Sequence, residues 1–128
     1  MKRAILLVSH GSLAISMKAS VELITGKQTH LFTLPMDEQA TLDSFTEELS
    51  NKTDDIFINY ENLLILADIK SGTPCNAAIQ VILKNKNIDL ITGFHLGLVI
   101  ESCLSDAAPN EIINNTLIGI KYINDEIK

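Results

Sequence analysis

Two apolar runs in this chain each end in residues able to do chemistry. Ala4-Ile5-Leu6-Leu7-Val8 breaks into Ser9-His10-Gly11-Ser12, and Leu63-Leu64-Ile65-Leu66-Ala67 breaks into Asp68-Ile69-Lys70-Ser71-Gly72-Thr73-Pro74. An imidazole with an ordinary pKa of about 6.5 is largely neutral near pH 7, so one ring nitrogen carries a free lone pair. A carboxylate that accepts a hydrogen bond from Nδ1–H selects the tautomer with Nε2 as the attacking atom and steadies positive charge on the ring. His10 and Asp68 are the candidates for that pairing. Helix starts after Ser12 and Thr73 would offer backbone N–H groups, and Ser71 and Thr73 would add hydroxyls. With Gly11 and Gly72 these residues form a candidate cradle for a phosphoryl group, which carries roughly 1.5 to 2 negative charges at neutral pH. The pattern reads as a site that holds phosphate on histidine.

Each residue also has a plainer reading. A histidine at a strand end is commonly structural, an aspartate there commonly caps a helix, and Ser-Gly-Thr-Pro is first a turn and a helix start. His30, where the second strand begins, and His95, in a loop, read as structural; Cys75 and Cys103 read as small core residues. Glu101 stays open between capping loop amides and serving the site.

The elements that must position these residues follow from periodicity. Strand-like runs at 4–9, 29–34, 62–67 and 88–92 alternate with segments of helical period, which predicts an α/β fold with a doubly wound, mostly parallel sheet and helices on both faces. Ligands bind such sheets outside the carboxyl ends of the strands, which brings both chemical segments to one cleft. The first helix is expected from Ser12 as N-cap to Gly26, with Leu13, Met17, Val21 and Ile24 packed on the sheet. The second is expected from about Asp37 to Ser50, presenting Leu42, Phe45 and Leu49, before a loop over 51–61. Thr73 as N-cap and Pro74 as first helical residue open the third, with Cys75, Ala78, Ile79 and Ile82 in one stripe. A further helix reaches about Ser105, Pro109 interrupts, and the tail from Asn110 reads as helix followed by either a short strand at Ile118 to Tyr122 or more helix.

Composition bounds the function. At 128 residues and 46% hydrophobic content the chain suits one domain, 1–128, with a single buried core. A net charge of −6 and 5% aromatic content oppose binding to nucleic acid, through phosphates or through stacked bases. No window is long enough to span a membrane, and two unpatterned cysteines suit a reducing cytoplasm. Without a G-x-G-x-x-G, Walker A, H-E-x-x-H or C-x-x-C pattern there is no call for a nucleotide, a metal or another cofactor.

Three segments carry a family resemblance: Ala4 to Ser12 (AILLVSHGS), Leu66 to Ala78 (LADIKSGTPCNAA) and Gly93 to Glu101 (GFHLGLVIE). In this order and spacing they resemble the enzyme IIA components of the mannose/fructose/sorbose family of the bacterial phosphoenolpyruvate-dependent sugar phosphotransferase system (PTS). The resemblance implies a phosphotransferase in which His10 accepts a phosphoryl group from the phosphocarrier HPr and passes it to a IIB component, with Asp68 supporting the imidazole and Thr73 assisting the phosphate. It also implies contact with the membrane only through the IIC/IID permease, and a homodimer that exchanges a C-terminal strand, which favours the strand reading of Ile118 to Tyr122. The chain departs from the family pattern at Lys70, which replaces an aromatic residue, and at Ser71, which replaces a glycine. It departs again at Cys75, at His95 and at Gly97. Serine is costlier than glycine at positive φ, so a reshaped loop over 69–72 is expected. Two rival readings share parts of this pattern. Leu-Leu-Val-Ser-His-Gly-Ser also resembles the opening of small tetrapyrrole metal chelatases, with His95 as second histidine, and a IIA-like regulatory subunit, including that of dihydroxyacetone kinase, could carry the same site.

Overall fold

The computed structural model describes residues 3–128. Its first strand, β1 (Arg3–His10), has Ala4 through Ser9 fully buried, which a strand achieves only when both faces of its sheet are covered. β1 pairs with β2 (Leu31–Met36) on one side and β3 (Asn62–Ala67) on the other, and β4 (Ile88–Thr92) follows, giving the order β2-β1-β3-β4 with every pairing parallel. Alternate residues of the two central strands feed two cores. Ala4, Leu6, Val8, Leu63, Ile65 and Ala67 pack with Phe45, Leu49 and Ile56 of α2 (Leu42–Ile56) and with Ala77, Ala78 and Val81 of α3 (Thr73–Ile82). On the other face Ile5, Leu7, Leu64 and Leu66 pack with Ala14 and Val21 of α1 (Leu13–Thr25), Leu98 and Val99 of α4 (Leu96–Leu104) and Ile112 of α5 (Pro109–Leu117). The doubly wound expectation holds, and the strand order reverses between β1 and β3, placing the switch point at the ends of those strands.

Several boundaries differ from expectation. α1 buries Ala14 and Val21, while Leu13 and Ile24 stay 45% and 60% exposed, so the buried stripe is turned from the one periodicity suggested. In α3 the buried residues are Pro74, Cys75, Ala77, Ala78 and Val81, and Ile79 faces outward. α2 starts five residues later than Asp37 and runs to Ile56, absorbing much of the expected 51–61 loop. Its start is set by Thr41, whose side chain accepts from Ser44 N–H while Ser44 Oγ accepts from Thr41 N–H, a reciprocal cap. Its extension is held by burial of Thr53 and Ile56. The expected strand at Ile118 to Tyr122 is not formed: α5 ends in a turn, an irregular stretch follows, and α6 (Ile123–Ile127) closes the chain. A strand needs a neighbour to satisfy its backbone, and among the described residues no strand pairs with this segment. Among the described residues, no helix is long and apolar enough to cross a membrane.

Candidate functional site

His10 and Asp68 leave the sheet side by side because β1 and β3 are in register up to Val8 and Ala67, and the ladder continues with Asp68 N–H donating to Val8 O at 3.2 Å. Both carboxylate oxygens are engaged. Oδ2 accepts from the main-chain N–H of His10 at 2.9 Å and faces the ring Nδ1 at 2.8 Å, while Oδ1 accepts from Ile69 N–H at 2.9 Å. A carboxylate only accepts, so the pairing assigns the ring proton to Nδ1 and leaves the lone pair on Nε2. The Asp68 side chain is 9% exposed and that of His10 is 47% exposed, so the carboxylate is sheltered and the imidazole is open.

The turn after His10 is built by its neighbours. Gly11 takes φ +57° and donates to Met36 O at 2.7 Å, tying the turn to the end of β2. Ser12 precedes α1 but makes no side-chain cap; the buried Ser9 hydroxyl does that work, accepting from Ala14 N–H at 2.8 Å. Ser9 escaped the sequence reading because it looked like the tail of an apolar run. Its strand parity, alternating onto the α1 face with Ile5 and Leu7, was the available signal.

The loop from Asp68 to α3 forms the facing wall. Ser71 adopts φ +72°, so the left-handed position is kept despite the serine, and its carbonyl accepts from Asn76 Nδ2 at 3.3 Å. Gly72, not Thr73, is the N-cap of α3; Thr73 and Pro74 are the first two helical residues. Proline lacks the N–H that a first turn would leave unpaired, and the amides of Thr73 and Cys75 have no intrahelical acceptor. Lys70 and Ser71 are exposed at the loop's outer edge.

The other candidates fall elsewhere. The His30 ring bonds through Nε2 to Cys103 O at 3.0 Å, and His95 is the N-cap residue of α4 without a side-chain cap. Glu101 accepts from Asn115 Nδ2 at 3.3 Å, linking α4 to α5, which is neither role considered for it. Cys75 and Cys103 are buried free thiols, and burial pushes that of Cys103 up to about 11. A cavity of about 400 Å³ lies among Arg3, Thr29, His30, Tyr60, Ser105 and Asp106 at the opposite end of the sheet, apart from His10. A half-exposed imidazole at a strand end suits an encounter with another protein better than enclosure of a small molecule.

A family described as the PTS system fructose IIA component, of the mannose type, matches residues 4–116, a span that contains both His10 and Asp68. The chain belongs to this family. As a IIA component of the sugar phosphotransferase system, it is 28% identical over 114 residues to the PTS fructose-specific EIIA component of Bacillus subtilis (strain 168), covering 88% of this chain and 77% of that one. It is 27% identical over 122 residues to the sorbose-specific EIIA component of Lacticaseibacillus casei, covering 95% and 86%. The fold of this IIA component superposes at TM-score 0.92 and 24% identity on a PTS IIA protein associated with the fucose utilization operon of Streptococcus pneumoniae, over 100% of this chain and 98% of that one. It also superposes at TM-score 0.86 and 24% identity on the mannose/sorbose-specific IIA subunit of Enterococcus faecalis, over 94% of each. The family match takes in the segment from 68 to 78, which the chelatase resemblance leaves unexplained.

Proposed function

We propose that this IIA component is a phosphohistidine carrier that takes a phosphoryl group from phospho-HPr onto Nε2 of His10 and delivers it to a IIB component. The observation that carries the reading is the 2.8 Å approach of Asp68 to Nδ1 on a half-exposed ring. In the forward step the Nε2 lone pair forms a bond to phosphorus as the donor's P–N bond breaks, and Nδ1–H stays directed at Asp68 while the ring becomes cationic. The second step reverses this toward IIB. Bonds of one kind are exchanged for bonds of the same kind, so catalysis consists mainly of in-line positioning and charge stabilisation. Gly11 and Ser12 on one side, and Ser71, Gly72 and Thr73 on the other, supply the amides and hydroxyls for the phosphoryl oxygens. Neither metal nor nucleotide enters the scheme.

The 128 residues act as one domain in the cytoplasm and reach the membrane only through IIC and IID permease subunits. Two copies associate through the C-terminal segment, where Leu117, Ile118, Ile120, Tyr122 and Ile123 are each more than half exposed. A concentration-independent monomer mass by light scattering would refute the dimer. Incubation with phosphoenolpyruvate, enzyme I and HPr tests the carrier: mass spectrometry is expected to find one acid-labile phosphoryl group on His10. Phosphate elsewhere, or none, overturns the reading.

A further inference from the structure

Gly72 has φ −78° and ψ 167°, extended backbone open to any residue. Conformational freedom therefore does not explain a glycine there. Space does: a Cβ built on Gly72 lies 2.7 Å from Cε1 and 3.3 Å from Nε2 of His10, and 3.1 Å from Cγ2 of Ile69. No real methyl group tolerates 2.7 Å to a ring carbon. The imidazole and the Ile69 side chain converge over a bare Cα.

We propose that Gly72 is a positioning residue, the floor on which the Cε1–Nε2 edge of His10 rests so that Nε2 keeps one direction of attack. This inference builds on the phosphocarrier reading. Asp68 holds the ring at Nδ1, but one hydrogen bond leaves the ring free to rock about that corner, and χ2 of a histidine is only broadly restrained. The contact at Gly72 removes that motion. Asp68 selects the tautomer, and Gly72 aims it.

Adding a methyl group by Gly72→Ala forces Cε1 back by about 0.7 Å to reach an ordinary contact of 3.4 Å. Such a retreat strains the bond to Asp68 and takes Nε2 off line. Misplacement on the order of 1 Å costs about 10²-fold in well-positioned reactions. The backbone of α3 is undisturbed, because alanine accepts this φ and ψ and the bond from Asn76 N–H to Gly72 O at 2.9 Å remains.

The test has three arms. In the unaltered protein, a strong nuclear Overhauser effect is expected between Hε1 of His10 and the α protons of Gly72; its absence overturns the proposal. It also holds whether or not HPr proves to be the donor, which separates this inference from the carrier reading. In Gly72→Ala, the rate at saturating phospho-HPr is expected to fall 10- to 100-fold with an unchanged half-saturating concentration, and the ring 15N signals to shift. A rate within twofold of the unaltered protein, or unmoved ring signals, overturns it. In Ile69→Ala/Gly72→Ala the slow rate is expected to persist, because trimming Ile69 does not relieve the contact at Cε1. Recovery would place the crowding on Ile69 and refute the assignment.

Discussion

Replacing Asp68 by asparagine changes one atom and tests the whole orienting scheme. The carboxylate receives three donors: the main-chain N–H and Nδ1–H of His10 on Oδ2, and Ile69 N–H on Oδ1. An amide has one oxygen. With that oxygen toward His10, the NH2 group confronts Ile69 N–H; with it toward Ile69, the NH2 group confronts the His10 amide and drives the ring proton from Nδ1 to Nε2, where it blocks attack. The Asp68 side chain is 9% exposed, so water cannot fully repair either arrangement. A charge-assisted hydrogen bond contributes about 1.5–3 kcal/mol against about 0.5–1.5 for a neutral one, and the charge that developed on the ring loses its counterpart. A loss of about 2–3 kcal/mol in the transition state corresponds to roughly 30- to 150-fold slower transfer. Single-turnover transfer from phospho-HPr, followed by rapid quenching, reads this directly, and circular dichroism verifies the fold. A folded Asp68→Asn variant with a rate within threefold of the unaltered protein would refute the role of Asp68 in orienting His10.

Three further outcomes are expected. Ser71→Gly relieves a serine at φ +72° and is expected to raise stability by about 0.5–1 kcal/mol, net of the greater unfolded-state entropy of glycine, as a shift in denaturant midpoint. The Cys103 thiol, pushed by burial from 9.0 up to about 11, keeps its proton better in the folded state than in the unfolded one. Its contribution is therefore complete below about pH 9 and lost as pH rises toward 11, on the order of 2 kcal/mol, and Cys103→Ser is expected to flatten that alkaline decline. Lys70 is exposed, so Lys70→Phe is expected to disfavour the phosphorylated form by about 1 kcal/mol or less at low salt, a difference that vanishes at high ionic strength; equal transfer equilibria at low salt would leave the lysine without influence on the phosphate.

The pairing of His10 with Asp68 was legible because alternation of strands and helices dictates a parallel sheet, and a parallel sheet gathers the carboxyl ends of its strands. Only the types of residue at those ends had then to be read. The orientation of α1 was not legible for a physical reason: apolar residues occur around much of the helix, with Ile15, Leu23 and Ile24 all more than half exposed, so periodicity marks no single face. The end of α2 was hidden because Asn51, Thr53, Asp54 and Asp55 are weak helix formers carried along by the burial of Thr53 and Ile56. Gly72 could be recognised as a turn residue but not as a neighbour of His10, since that contact spans two loops whose shapes depend on Gly11 and Ser71. The C-terminal segment left strand and helix open and only the resemblance favoured the strand, because an edge with no local partner gives a sequence no way to announce it.

The 58-position separation of His10 and Asp68 along the chain sets the order in which this protein becomes competent. Synthesis delivers β1 with its histidine long before β3 exists, with α1, β2 and α2 lying between them in the chain. Parallel pairing at such separation closes late, because the chain gives up the freedom of a long loop before any contact repays it. A nascent or partly unfolded chain thus holds an imidazole with no carboxylate to orient it. On the proposed function, full-rate phosphoryl acceptance at His10 therefore reports that β1 and β3 have paired, and a truncated chain ending before Asn62 would carry the histidine without its orienting carboxylate.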